Sequence, residues 1–276
     1  LSGISGGISR LLFNFYVLSL GYTEATLGNL VTARSFTTLL AALPMGYLVD
    51  KIGRKNAFIV SNIISGISMI FMIVIPSIPI FLIMSVLQGF SQALAVVAQG
   101  PFLMENSQEA ERTYLFSFSS GIGTTATSVG EWLGGYLPGF FAGMLMVSVM
   151  DTAAYRGSLW FVVLFSALAL IPTLFMKENR DIAISSRSVF APFTFFKRAP
   201  KILTKLILPN LITSIGAGMI MPFMNVFFRN VHHQSDASIG VIFAWGSLAM
   251  GLGLLIAPML AERFGKIQVV VATQAL

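Results

Sequence analysis

Long apolar runs, separated by short polar stretches, dominate the chain. Several runs reach the roughly 20 residues that a helix needs to cross the hydrocarbon layer of a membrane. They do not alternate apolar and polar positions as the strands of membrane barrels do. Because a helix satisfies its own backbone hydrogen bonds in lipid, the pattern predicts membrane-spanning helices. The predicted spans are 1–20, 26–48, 57–75, 80–103, 113–137, 157–176, 206–228 and 238–261, and a ninth begins near Ile267.

The composition agrees with lipid as the surroundings of the chain. Hydrophobic residues make up 55% of the 276 residues and charged residues 10%, against about 25% charged in soluble domains. The absence of cysteine excludes a disulfide framework, a thiolate metal site and a cysteine nucleophile. No phosphate-binding G-x-x-x-x-G-K-[ST] loop is present. We therefore expect a lipid bilayer as partner, and no cofactor, no metal and no enzymatic activity.

Lysine and arginine are distributed unevenly between the loops. The net charge of +6 lies in short clusters between apolar runs, which is typical of cytoplasmic loops in multi-pass proteins and not of a nucleic-acid-binding surface. Only Arg156 and Arg229 fall on the other side. The count predicts a cell-membrane protein with loops 2–3, 4–5, 6–7 and 8–9 in the cytoplasm. The predicted cytoplasmic residues are Lys51, Arg54, Lys55, Arg112, Lys177, Arg180, Arg187, Lys197, Arg198, Lys201, Lys205, Arg263 and Lys266.

One segment of the chain occurs twice. Glu-Ala-Thr-Leu-Gly at 24–28 aligns with Asp-Ala-Ser-Ile-Gly at 236–240, and without a gap Asp-Lys-Ile-Gly-Arg at 50–54 aligns with Glu-Arg-Phe-Gly-Lys at 262–266. The repeating unit is six spans long, and two parallel six-helix halves build a large class of secondary transporters. The predicted organisation is a first bundle at 1–176, a basic cytoplasmic linker at 177–205 and the beginning of a second bundle at 206–276.

The loop after the second span carries a specific motif. Gly46-Tyr-Leu-Val-Asp50-Lys-Ile-Gly53-Arg54-Lys55 resembles the G-x-x-x-D-[RK]-x-G-[RK]-[RK] loop of the major facilitator superfamily. The resemblance covers the chain as helix one to the start of helix nine of a twelve-helix fold. Because the chain opens without methionine and closes inside an apolar run, we expect the start of helix one and three or four further spans to lie outside this sequence.

The resemblance implies a conformational latch between the two halves on the cytoplasmic side. Gly46 is expected to allow close helix approach, Gly53 a tight turn, and Asp50 a charge at a helix end where it pairs with cations. Glu105 is the expected partner of Arg54. The latch residues on this interpretation are Gly46, Asp50, Gly53, Arg54, Glu105 and Arg112, with Glu262, Arg263, Gly265 and Lys266 as a degenerate second copy.

Three charged residues, Arg10, Arg34 and Glu131, fall inside predicted spans. A charge at the bilayer centre costs at least about 2.5–3.5 kcal/mol, so each needs a charged partner or a watery cavity. Both alternatives, cavity lining and structural ion pairing, are open. The resemblance implies a cavity lined by the first, second, fourth and fifth helices. The expected substrate or proton pathway comprises Arg10, Asn14, Arg34, Gln88, Gln92 and Glu131.

Glu131 lies in a motif of its own. The segment 130–135, Gly-Glu-Trp-Leu-Gly-Gly, resembles the fifth-helix G-P-x-x-G-G motif of exchangers in the family, with Glu131 in place of proline. Low dielectric favours the neutral form of a carboxylic acid, so this group can load and release a proton. Ser85 stands where proton-linked exporters of the family carry arginine, and Arg34 or Arg10 can supply the missing charge.

These features predict a secondary active transporter of a small solute, a permease that works by alternating access and is coupled to protons. Export and uptake both remain open, as do the substrate and the oligomeric state. The alternative is a non-transporting membrane sensor or interaction protein on the same scaffold, because a fold does not fix a function.

Overall fold

The computed structural model describes residues 1–109, 111–176 and 200–275. Within these ranges the chain is helical and contains no β-strand, which confirms the predicted all-α class. The predicted linker falls largely on residues 177–199, which lie outside the described residues. The helices are α1 (Ser2–Ser19), α2 (Glu24–Ile52), α3 (Arg54–Val74), α4 (Ile78–Glu105), α5 (Arg112–Leu145), α6 (Thr152–Leu174), α7 (Pro200–Ile220), a 3₁₀ turn (Met221–Phe223), α8 (Met224–Asn230), α9 (Asp236–Phe264) and α10 (Lys266–Ala275).

Helices α2 and α9 are equivalent members of the sequence repeat. Both contain 29 residues, begin at the aligned acidic residues Glu24 and Asp236, and end at glycines Gly53 and Gly265. The two glycines have φ of 89° and 90°, a backbone conformation that only glycine adopts readily. The structure therefore confirms the repeat, and it confirms the tight turn expected at Gly53.

Five segments in the described part of the chain are long and apolar enough to cross a membrane. Helices α1, α2 and α5 are not among them, because serine, threonine, glycine and charged residues lower their hydropathy. Each packs against one of the five: α1 against α6, α2 against α4 and α5 against α9. The chain is thus a multi-pass membrane protein. The five segments are Arg54–Val74, Ile78–Glu105, Thr152–Leu174, Ile207–Asn230 and Asp236–Phe264.

The fifth helix is longer than predicted. The predicted spans 113–137 and 157–176 leave 138–156 as a connection, but α5 continues through Pro138 to Leu145. Helix α6 begins after Asp151, whose carboxylate accepts a hydrogen bond of 2.8 Å from the backbone N–H of Ala153. A proline removes one helical hydrogen bond, whereas ending the helix in lipid would leave several backbone groups unpaired. The helix therefore continues past the proline.

The seventh span is interrupted, whereas a single helix was expected at 206–228. The 3₁₀ turn Met221–Phe223 separates α7 from α8, and Pro222 in this turn has no N–H to donate. Asn225 and Val226 of α8 are buried, whereas residues 207–220 of α7 are exposed. The two parts of this span therefore differ in burial.

Helix α5 packs between α1 and α9 through two faces of small residues. A Cβ atom at Gly130 would clash with the backbone oxygen of Ile4 on α1. On the other face, a Cβ atom at Gly240 of α9 would lie 2.6 Å from the Cα atom of Gly135. Small residues permit such close approach in membrane bundles. Through α5, the first six helices contact α9 along its length.

The latch glycine Gly46 does not mark a close helix approach. A Cβ atom there would lie 3.6 Å from Val97, which is an ordinary contact, so this prediction is wrong. Helices α2 and α4 instead approach closely at Gly89, where a Cβ atom would lie 2.6 Å from the backbone oxygen of Arg34. The crossing point thus lies at the depth of the charged residues and away from the helix ends.

Candidate functional site

A cavity of about 620 Å³ lies between the first six helices and the interrupted seventh span. Five of the six residues predicted for the pathway line it, and the sixth, Glu131, does not. Its walls come from α1, α2, α3, α4, α6, the 3₁₀ turn, α8 and α9. The expectation that the fifth helix lines the cavity is wrong, because α1 and α9 cover the two glycine faces of α5. The predicted residues that reach the cavity are Arg10, Asn14, Arg34, Gln88 and Gln92.

Arg10 and Glu131 form an ion pair at the cavity wall. The distance from Arg10 Nη1 to Glu131 Oε1 is 3.2 Å, and the side chains are 48% and 0% exposed. The guanidinium carbon of Arg10 also lies 5.5 Å from the ring centroid of Phe243 on α9. Ser247 of α9 faces the buried carboxylate. Arg10 therefore both lines the cavity and pairs with the carboxylate, so the two alternatives left open by the sequence apply together.

Arg34 faces the cavity from α2 without a carboxylate partner among the residues that the structure describes. It lies ten residues after the start of α2, and Arg10 lies nine residues before the end of α1. At 1.5 Å of rise per residue, both arginines are about 14 Å from the short α1–α2 turn. The two cationic groups therefore lie at a similar depth in the same cavity.

Asn14 ties α1 to the interruption in the seventh span. Its Nδ2 donates to the backbone oxygen of Pro222 at 2.7 Å and to Asn225 Oδ1 at 2.9 Å. Asn225 Nδ2 in turn donates to the backbone oxygen of Leu11 at 2.7 Å. In a regular helix the backbone N–H of Val226 would donate to the carbonyl of Pro222, four residues earlier. Here it donates to Asn225 Oδ1 instead, so the Pro222 carbonyl is free to accept from Asn14. Sequence reasoning identified Asn14 and missed Asn225.

A buried polar network lies near the end of the bundle where α9 begins, which we call the Asp236 side. The Tyr155 hydroxyl donates to Asp236 Oδ2 at 2.8 Å. Arg229 Nη2 donates to the same hydroxyl at 2.7 Å and forms an ion pair with Asp236. The Arg229 guanidinium stacks on Phe15 at 3.3 Å from the ring centroid. The network joins α1, α6, α8 and α9 at this end of the bundle.

Sequence reasoning missed this network because its members come from distant parts of the chain. Arg229 was assigned to a loop, but it lies in α8 and is only 14% exposed. The repeat offered one signal, since it aligned Asp236 with Glu24. Glu24 Oε1 accepts a hydrogen bond of 3.3 Å from Asn230 Nδ2, so both aligned acidic residues receive a side chain from α8.

The motif residues after α2 cluster at the other end of the bundle, which we call the Arg54 side. Arg54 Nη1 lies 2.9 Å from Asp50 Oδ1, and Arg54 Nη2 lies 3.0 Å from Glu105 Oε1. Arg54 Nη1 also donates to the backbone oxygen of Val49 at 3.3 Å. Arg112 begins α5, and its Nε is buried with no hydrogen-bond partner within the described ranges. The cluster fastens the ends of α2, α3 and α4 to one another.

The second copy of the motif ends α9 on the same side. Glu262 and Arg263 lie in its last turn, and Gly265 makes the turn into α10. Tyr114 of α5 faces Glu262, so this carboxylate lies against the first six helices. The side chain of Lys266 lies outside what the structure describes. The second copy of the motif therefore contacts the first six helices through α5.

Comparison with known proteins gives one family model and two relatives of low sequence identity. The sequence model of the Major Facilitator Superfamily matches residues 1–276. The uncharacterized MFS-type transporter MJ1560 of Methanocaldococcus jannaschii is 21% identical over 266 residues, which are 96% of this chain and 67% of that protein. The quinolone resistance protein NorA of Staphylococcus aureus is 20% identical over 241 residues, which are 84% of this chain and 57% of that protein. The chain thus spans 67% and 57% of the lengths of these two relatives.

Proposed function

The chain belongs to the major facilitator superfamily, and from this premise we propose that it acts as a secondary active transporter of a small polar solute by alternating access. The family is one of transporters, which indicates a non-enzymatic role. The observation that carries the proposal is the cavity of about 620 Å³, which is lined by two arginines and many neutral polar groups from the first six helices and from the seventh and eighth spans. A volume of this size suits a small molecule.

The closed and open ends of the cavity support a specific conformation. On the Asp236 side, Asn14, Asn225 and the Tyr155 network hold α8 against α1, α6 and α9. Toward the Arg54 side, the lining continues to Ser2, the first residue of α1. The lysine and arginine count assigns the Arg54 side to the cytoplasm. On this assignment the conformation is inward-facing, in a multi-pass protein of the cell membrane.

Transition to the other conformation would exchange the contacts at the two ends. The Asp236 network must separate, and the Arg54 side must close. The ion pairs of Arg54 with Asp50 and Glu105 hold the ends of α2, α3 and α4 as one unit, so these helices can close as a rigid edge against the helices after the linker. This is the latch role, and it extends to Asp50, Gly53 and Arg112.

The Arg10–Glu131 pair is the proposed site of proton coupling. Arg10 of α1 is the charged group that faces the carboxylate, and Ser247 of α9 also faces it. The ring of Phe243, also on α9, lies against the Arg10 guanidinium. Protonation of Glu131 would remove the counter-charge of Arg10, which faces the cavity. A proton on Glu131 and a solute in the cavity would then both change the interactions of the Arg10 guanidinium. The two binding events would therefore be coupled.

Export is the proposed direction. One relative is a quinolone resistance protein, and removal of a compound from the cell is one way to confer resistance. The proposed partners are the lipid bilayer, the solute and protons.

Proteoliposomes that contain the full-length protein and an internal pH-sensitive dye test the proposal. A panel of solutes is added with and without a pH gradient. We expect solute-dependent proton movement that is lost in Glu131→Gln. Solute flux that ignores the gradient would contradict proton coupling and leave transport standing. Solute binding without any flux would favour the alternative, a sensor or interaction protein.

A further inference from the structure

The charged side chains that line the cavity are all cationic. Arg10 and Arg34 are its charged lining residues, and no aspartate, glutamate, lysine or histidine of the described ranges lines it. The nearby carboxylate of Glu131 is 0% exposed and offers no anionic surface. A solute that enters the cavity thus meets cationic groups and neutral polar groups.

Arg34 carries the stronger part of this charge. Arg10 is neutralised in part by Glu131 at 3.2 Å, but no carboxylate within the described ranges pairs with Arg34. An unpaired charge at this depth is costly unless water or a ligand compensates it. A guanidinium presents a planar set of donors that matches a carboxylate or phosphate in a bidentate arrangement.

Uncommitted hydrogen-bonding groups surround the two arginines. Some cavity serines are occupied by protein partners, as Ser91 is by the backbone oxygen of Ser61 at 2.7 Å. Other side chains that line the cavity have no protein hydrogen-bond partner in the described part of the chain, namely Asn62, Ser65, Ser85 and Gln92. Amides and hydroxyls offer both donors and acceptors, so they suit a ligand with several hydroxyl groups.

We propose that the transported solute is a small hydrophilic organic anion, with a carboxylate or phosphate held by Arg34 and Arg10 and hydroxyl groups held by the uncommitted serine and amide side chains. This inference rests on the proposed function, because it names the substrate class of the same cavity. It disfavours cations, because no carboxylate of the described residues lines the cavity to pair with them.

A matched series of six-carbon polyols tests the inference. Gluconate carries a carboxylate, sorbitol 6-phosphate a phosphate, sorbitol no charge and N-methylglucamine a cation. Binding to the full-length protein in nanodiscs is measured by calorimetry. We expect at least one anion to bind about tenfold or more tightly than sorbitol, because the free energy of a charge-assisted hydrogen bond corresponds to about this ratio of dissociation constants. We expect no binding of N-methylglucamine.

Variants assign the effect to the cavity. Arg34→Gln should weaken anion binding by about ten- to hundredfold and leave sorbitol unchanged, and Arg34→Lys should retain part of the affinity. Arg156→Gln makes the same chemical change at an exposed arginine outside the cavity and should bind anions as the unmodified protein does. The melting temperature of each variant checks its folding, and the ligand series on the unmodified protein decides the question if Arg34→Gln does not fold.

Several results would overturn the inference: sorbitol bound as tightly as both anions, N-methylglucamine or a lipophilic cation bound more tightly, no binding of either anion, or a folded Arg34→Gln with unchanged anion affinity. The outcome is separable from that of the proposed function. Anion binding without flux would contradict transport and keep the anion site, whereas flux of a neutral or cationic solute would keep transport and contradict the anion site.

Discussion

Arg10 and Glu131 pair across α1 and α5 at 3.2 Å, with the arginine half exposed to the cavity and the carboxylate fully buried behind it. The pair thus has one member in contact with the solute space and one member shielded from it by α1 and α9. Close packing at Gly130 and Gly135 creates this shielding, because it brings both neighbouring helices onto α5. A change of charge on Glu131 would be felt in the cavity through Arg10.

Replacement of Glu131 by glutamine tests the coupling role. The amide keeps the size of the side chain and cannot exchange a proton, so we expect gradient-driven accumulation of solute to be lost while exchange without a gradient continues. Proteoliposome uptake with and without a pH gradient measures both. Glu109→Gln, an exposed position outside the cavity, is the matched control. Gradient-driven accumulation that survives Glu131→Gln would show that the proton binds elsewhere.

The Arg54–Glu105 pair permits a test of the latch by a double-mutant cycle. If the two residues act as one unit, Arg54→Gln and Glu105→Gln should each slow transport, and the double variant should be no slower than the slower single variant. Lys51→Gln changes a neighbouring exposed charge and should leave the rate unchanged. Additive effects of the two substitutions, or full rates in all variants, would speak against the latch.

The glycine face of α5 gives a prediction about stability. Gly130→Ala introduces a Cβ atom that would clash with the backbone of Ile4, and overpacking of this kind costs about 1–3 kcal/mol. We expect a lower melting temperature in detergent. Gly139→Ala is the control in the same helix, because a Cβ atom there has no neighbour within 4 Å in the described structure. Equal melting temperatures for the two variants would mean that α1 and α5 separate easily.

Local patterns predicted much of this architecture. The repeat located α2 and α9, with both helix starts and both glycine turns. The motif resemblance named Arg54 and Glu105, which the structure brings to 3.0 Å. The charges within apolar runs identified Arg10 and Glu131 as residues that need partners. Each of these inferences uses information within one helix or one loop, or a direct comparison of two such segments.

What the sequence did not predict depends on contacts between distant segments. The interruption near Pro222 is stabilised by Asn14, which lies 208 positions earlier in the chain. The burial of Arg229 requires Phe15 and Tyr155 from two other helices. Likewise, the absence of α5 from the cavity wall follows from how closely α1 and α9 pack against it. Hydropathy and spacing carry no information about these pairings.

In the proposed conformation the cavity opens toward the Arg54 side and is closed on the Asp236 side. Ser9 lines this cavity, and residues 1–276 contain no cysteine. Once any cysteine elsewhere in the full-length protein is replaced by serine, Ser9→Cys provides a single reporter for a membrane-impermeant thiol reagent. The reagent is applied to vesicles of each orientation. Asp236→Asn in the same background removes the charge that pairs with Arg229.

The decisive measurement is the labelling rate of Ser9→Cys from each side of the membrane. We predict fast labelling from the Arg54 side, slow labelling from the Asp236 side, and a marked increase from the Asp236 side when Asp236→Asn is added. Equal rates from both sides, or faster labelling from the Asp236 side that Asp236→Asn does not change, would contradict the proposed inward-facing conformation.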